Sequence, residues 1–159
     1  MKSKFISLFL VLTAVLPSWS GLNAADAAAA ARVVKIRAGV ENAMKFDVGS
    51  ISAAPGETIK VVLTNASTLP KTVMGHNWVL LTAGSDPVAF AQVAAPEAES
   101  GYIPAKAKDK IVAFVALLGP GETGEVTFKA PTAPGEYPFL CSFPAHCVVG
   151  MKGTLVVKK

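Results

Sequence analysis

Several protein classes are excluded by what this chain has little of. The apolar run near its start, from Phe5 to Leu16, spans 12 residues, too few to cross a bilayer as a stable helix. Its two cysteines, Cys141 and Cys147, would close so small a loop if bonded that the bond would stabilise little, so a disulfide framework is not their purpose. No cysteine lies near the start of the chain, which leaves a lipid anchor through an N-terminal Cys unsupported. The 15 basic and 11 acidic residues are dispersed, without the dense cationic stripe that nucleic acid requires. There is no internal repeat and no long low-complexity linker. Histidine is scarce too, at 76 and 146 only.

The first segment reads as an export signal. Lys2 and Lys4 precede the apolar run, and small residues follow from Ser18, the basic, apolar, small order of a secretory leader. Residues 1–24 are expected to be cleaved, with a second fit near Ala27 where Ala25-Asp26-Ala27 also matches. An uncleaved anchor with an Ala-rich stalk is the competing reading. Residues 25–32 then form an Ala-rich tail and residues 33–159 the folded domain. Cleavage leaves about 135 residues, the size of one ordinary domain with a real core. The formal charge of +4 falls by two with Lys2 and Lys4, so the basic balance is a weak guide to partners.

From Arg32 onward, short β-prone runs alternate with turn residues. Candidate strands are Val33–Ala38, Met44–Val48, Thr58–Asn65, Asn77–Thr82, Lys110–Leu117, Gly124–Lys129, Glu136–Cys141 and Gly153–Lys158. Val34, Ile36 and Ala38 oppose Val33, Lys35 and Arg37, and Val126 and Phe128 oppose Thr127 and Lys129, the period of two that marks one buried face. Pro55-Gly56-Glu57, Gly119-Pro120-Gly121-Glu122 and Ala133-Pro134-Gly135-Glu136 supply turns. About eight such strands predict an all-β, antiparallel Greek-key β-sandwich. The Ala-rich stretch Gly84–Lys108, with Pro87, Pro96 and Pro104, is expected to be an inserted flap on the outside of the sandwich. Val88–Ala95 forms about two helical turns within it before Pro96 stops them. Trp78 and Phe114 are expected in the core.

The chemistry concentrates in Cys141-Ser142-Phe143-Pro144-Ala145-His146-Cys147-Val148-Val149-Gly150-Met151. A thiol, an imidazole and a thioether spaced five and five follow a predicted strand on one loop. The other histidine, His76, starts another strand 65 residues upstream. Two nitrogens, one thiolate and a weak axial thioether form the ligand set suited to a copper ion that cycles between Cu(I) and Cu(II). Zinc is physically allowed by the same Cys and His donors. Met74 is read as packing or lying exposed near the site, not as a ligand. Cys147 reads as a small packing residue, with a second metal-interacting thiol or an intermolecular disulfide as its alternatives.

Val73-Met74-Gly75-His76-Asn77-Trp78-Val79-Leu80, the Cys141–His146 segment and Met151-Lys152-Gly153-Thr154-Leu155 resemble the two copper-binding segments of the azurins, blue (type 1) copper proteins of the cupredoxin family. The looser resemblance extends from about Val33 to Lys159 and includes Leu69-Pro70-Lys71 and Lys110-Ile111-Val112-Ala113. It implies a cupredoxin-type sandwich, one copper per chain, equatorial ligands His76, Cys141 and His146, and a distant axial Met151. It also implies that the Gly75 carbonyl faces copper and that Asn77 tethers the two ligand loops. The His146–Met151 spacing is one residue longer than in typical azurins and resembles the auracyanins. The structural cysteine pair of azurins, far from the metal, has no counterpart here.

The expected function is single-electron carriage between exported redox partners in the periplasm, by a non-enzymatic, monomeric or weakly associating protein. His146 is expected to reach toward solvent through an apolar collar of Phe143, Pro144, Ala145, Val148 and Met74, where redox partners dock. No nucleic acid and no stable membrane insertion are expected. The rival is a periplasmic copper carrier or storage protein, which favours clustered, exchangeable Met or Cys ligands; the four Met here are not clustered. A copper reductase would need histidines for a second copper.

Overall fold

The computed structural model describes residues 30–159; the leader and most of the Ala-rich tail lie outside the described residues. Eight strands run in order: β1 (Arg32–Ala38), β2 (Ser50–Ala53), β3 (Thr58–Asn65), β4 (His76–Leu81), β5 (Ile111–Leu118), β6 (Thr123–Lys129), β7 (Gly135–Leu140) and β8 (Lys152–Val157). They form a three-stranded sheet, β1-β3-β6, and a five-stranded sheet, β2-β8-β7-β4-β5. The two sheets enclose a core that includes Ile36, Ile59, Leu63, Trp78, Leu80, Phe139 and Leu155, which is what alternating strands of this length must do to remove one face from water.

Three details differ from the sequence expectation. Both sheets are mixed, because β1 runs parallel to β3 and β2 parallel to β8. Met44–Val48 is no strand: its ladder pairing with β1 is a single isolated bridge from Ala38 to Phe46. The Asp47 carboxylate accepts the Arg37 N–H at 2.7 Å, a side-chain bond that takes a ladder donor, while Phe46 is buried. The strand is instead β2, where the inward Ile51 and Ala53 alternate with the exposed Ser50 and Ser52. Phe114 is 41% exposed, because the pleat turns Ala113 and Val115 inward and Phe114 out.

β4 explains the site. It lies between β7 and β5 and is buried along its whole length. Its even-numbered residues Trp78 and Leu80 join the core, while Val79 and Leu81 join a second apolar cluster with Phe90, Ala94, Leu140 and Cys147. That second cluster is the underside of the flap, whose helix α2 (Pro87–Ala94) starts at an Asp86 cap. The Asp86 carboxylate accepts from the Val88 and Ala89 amides at 2.8 and 3.3 Å, which together with Pro87 at the first helical position specifies the start. The chain reaches β4 through the single turn α1 (Lys71–Met74).

Asn65, the last residue of β3, ties together the loops at this end. Fully buried, its side-chain amide donates to the carbonyls of Met74 and Leu118 at 3.1 and 3.0 Å, and its oxygen accepts the Ser67 N–H at 2.9 Å. Truncation would strand two buried carbonyls and an N–H. We therefore expect Asn65→Ala to lower unfolding free energy by about 3 kcal/mol, measured by chemical denaturation of the metal-free protein; a loss below about 1 kcal/mol would deny the staple its role.

Candidate metal centre

The strand pattern brings three donors to one point. The β4–β7 register pairs Val79 with Leu140 and Leu80 with Phe139, so its continuation sets Asn77 opposite Ser142. Residues on the core side of these strands then include His76 and Cys141, and residues on the flap side include Asn77 and Ser142. The Cys141 Sγ lies 3.9 Å from His76 Nδ1 and 3.5 Å from His146 Nδ1. All three donor atoms fall within 4.8 Å of one another, and the residues are 0, 0 and 2% exposed.

His146 arrives by a short closed loop. The Cys141 N–H donates to the Met151 carbonyl at 3.0 Å, closing the loop at its base in register with β7 and β8. Inside it, the His146 N–H donates to Phe143 and the Met151 N–H to His146, at 3.1 and 2.9 Å. Met151 is thereby bonded through its backbone to both loop donors, and it is fully buried.

Asn77 joins the two donor-bearing segments. Its Nδ2 donates to the Ser142 hydroxyl at 2.8 Å, and its Oδ1 accepts the Ser142 N–H at 2.8 Å. The same amide donates to the Gly101 carbonyl of the flap at 3.1 Å. Its backbone N–H and that of Phe143 also act on the Cys141 sulfur.

Two glycines make room. Gly39 has φ +74°, and a Cβ there would sit 2.5 Å from His76 Nε2, so only glycine lets the β1 end close over the ring. At Gly75 a Cβ would come 2.6 Å from the Lys71 carbonyl, which makes close packing the demand on that residue. Neither Gly39 nor Asn65 is distinguishable in sequence from an ordinary turn residue, because each owes its role to a partner on another segment.

Charge is absent from the cluster near neutral pH. Burial pushes the Cys141 thiol up to about 12, against the opposing pull of the Asn77 and Phe143 N–H groups. Burial, and then the neighbouring His146, hold His76 down at about 4; burial alone does the same to His146, also at about 4. Two neutral imidazoles and a soft sulfur, with no carboxylate in the group, suit a borderline or soft metal rather than a hard cation. The His76 Nε2 is buried without a hydrogen-bond partner while its Nδ1 faces the thiol, the orientation in which Nδ1 serves as a donor.

Other expectations meet the structure unevenly. Cys147 is a free thiol, 1% exposed, packed under the flap. Met74 is buried, and Trp78 sits in the core. His146 does not reach solvent as expected: Phe143 stacks on its ring at a centroid distance of 4.6 Å, and the surface of the collar is formed by Ala145, Val148 and Val149.

A two-sheet β-sandwich with two imidazoles and one thiol converging at one end is the frame of a mononuclear copper protein. A family model described as copper binding proteins, plastocyanin/azurin family, matches residues 33–158. Azurin of Pseudomonas fluorescens biotype C is 41% identical over 119 residues, covering 72% of this chain and 91% of that one. Auracyanin-B of Chloroflexus aurantiacus is 37% identical over 128 residues, 80% of this chain and 52% of the relative, so the chain spans about half of that protein's length. The crystal structure of reduced auracyanin from the photosynthetic bacterium Roseiflexus castenholzii superposes with a TM-score of 0.71 at 35% identity, covering 81% of this chain and 98% of that one. The chain belongs to the plastocyanin/azurin family of copper-binding proteins and is a blue copper cupredoxin.

The shifted pKa values set a pH window. Histidines of the unfolded chain gain protons near 6.5 but those of the fold only near 4, so the metal-free fold loses stability as pH falls through that interval. The Cys141 thiol ionises near 9.0 unfolded and about 12 folded, so stability also falls as pH rises between those values. Denaturation midpoints of the metal-free protein should therefore form a plateau between about pH 7 and 8.5. Calorimetry at pH 7 in buffers of different ionisation enthalpy should find about one proton released per Cu(II). Release of no proton would mean that the thiol is already ionised.

Proposed function

We propose that this protein is an exported single-electron carrier whose one copper is held by His76, Cys141 and His146, with Met151 as the weak axial ligand and the Gly75 carbonyl facing the ion. The observation that carries the reading is the convergence of three buried donors within 4.8 Å. When bound there, copper supplies a one-electron couple between Cu(I) and Cu(II). The chain's own part is to exclude water, to hold both imidazoles neutral, and to keep the sulfur in place through the Asn77–Ser142 bonds. A site that is 0 to 2% exposed at its three donors retains its ion, which favours electron carriage over delivery or storage of copper. A surface cavity of about 520 Å³ is lined by Phe114, Phe128, Ile103 and neighbours, and by none of the three donors.

Redox partners of the proposed carrier dock on the collar. Val148 and Val149 are 64 and 57% exposed beside a ligand, and no charged residue lies between Cys141 and Met151. Electron-transfer encounters are small and weak, so this surface is large enough. The basic, apolar and small layout of residues 1–24 supports export to the periplasm, and the mature chain acts as a monomer.

The tests are direct. Cu(II)-loaded protein should show an intense visible band that Cys141→Ser abolishes; a persistent blue colour would transfer the ligand role to Cys147. Met151→Leu should keep the colour and raise the reduction potential, since loss of a thioether disfavours Cu(II) more than Cu(I); an unchanged potential would make Met151 a packing residue. Val148→Asp should slow electron self-exchange while copper content and potential hold, because a charge there must be desolvated when two patches meet. Unchanged rates would place docking elsewhere.

A further inference from the structure

Tyr102, in the flap, is held in a conformation that its own backbone disfavours. Its φ is +64°, a region that bulky L residues rarely adopt. Such strain persists only where the surroundings over-determine it. Here the surroundings are the metal centre's own framework. The Ser142 hydroxyl donates to the Tyr102 carbonyl at 2.6 Å, and Asn77 Nδ2 donates to the carbonyl just before it, Gly101, at 3.1 Å. The Tyr102 ring meets Phe143 edge to face, with centroids 5.1 Å apart. Phe143 in turn stacks on His146 at 4.6 Å, with the planes 33° apart.

A second residue with disfavoured φ lies within the ligand loop, between Phe143 and His146 in sequence: Ala145 at +70°. The flap residue against Phe143 and the loop residue that joins Phe143 to His146 are thus both in disfavoured conformations. A ring that merely filled space would explain the contact with Phe143. It would not explain why two successive flap carbonyls accept hydrogen bonds from Asn77 and Ser142, the pair that ties the two ligand segments together. Strand parity accounts for this, since Asn77 and Ser142 face the flap where His76 and Cys141 face the core.

We propose that Tyr102 is a positioning residue for the metal centre: the flap turn presses Phe143 against the His146 ring and so fixes the plane in which His146 presents Nδ1 to Cys141. The inference rests on the ligand assignment above, and the first arm of its test does not depend on copper.

That arm measures hydrogen exchange in the whole metal-free protein, comparing the native chain with Tyr102→Phe, Tyr102→Ala and Tyr102→Gly. Glycine accepts the positive φ without strain and so separates the ring from the backbone. Tyr102→Phe should match the native chain. Both Tyr102→Ala and Tyr102→Gly should speed exchange of the His146 and Met151 amides about threefold to tenfold, the population change that an aromatic pair is worth, with β1, β3 and β6 unaltered. Loop exchange that stays native in Tyr102→Gly, or that rises equally in every strand, overturns the proposal. The second arm loads Cu(II): the paramagnetic resonance hyperfine splitting and the visible band should move in the Ala and Gly variants and hold in Tyr102→Phe. A mobile loop with an unmoved spectrum reduces Tyr102 to a structural residue and overturns the claim. If the native chain itself shows no such band, the ligand assignment fails, while the exchange arm still decides whether the flap clamps the loop.

Discussion

Everything in this molecule depends on burying three metal-binding side chains against one another. His76, Cys141 and His146 are sealed from water within 4.8 Å of one another, and burial keeps all three neutral. Burying polar side chains costs free energy that their own contacts only partly return, and the His76 Nε2 has no hydrogen-bond partner at all, so a fold that keeps them so close must hold them there by other means. The means are hydrogen bonds made one residue away. Asn77 and Ser142 follow His76 and Cys141 in sequence, face the opposite side of the strands, and bond each other twice at 2.8 Å. Donors on one face and their tether on the other is a direct consequence of the two-residue pleat.

The same arrangement gives the flap a purpose. A central strand normally needs cover on both faces, and β4 receives the core on one side and α2 with the flap's apolar residues on the other. Because Cys147 packs beneath that flap and Asn77 bonds to it, the inserted segment is mechanically continuous with the Cys141–Met151 loop. Rigidity of this kind suits electron carriage, where little should move when the charge changes, and bound copper would displace only the thiol proton.

How much of this could be read from the residues differs by feature. The alternation in β1 and β6 was plain, since Lys35, Arg37, Thr127 and Lys129 mark the wet face. β2 escaped notice because Ser-Ile-Ser-Ala is short and one of its two inward residues is alanine. The direction of Phe114 was invisible in an unbroken apolar run, and parallel pairing depends on a partner far away in sequence. The convergence of His76, Cys141 and His146 was legible because histidine is so scarce and a strand-end thiol lies five residues before one of the two. Gly39, Asn65 and Tyr102 were not, since what each does is set by an atom at least nine positions away: a ring nitrogen, two carbonyls, a hydroxyl.

The central claim is that the chain imposes one donor set on copper in both oxidation states. X-ray absorption of the copper-loaded protein, oxidised and then reduced, tests this most directly. The account predicts one sulfur and two imidazole nitrogens as near neighbours in both states, with the count unchanged by the electron. Loss of an imidazole on reduction, or a second near sulfur drawn from Cys147, would contradict it.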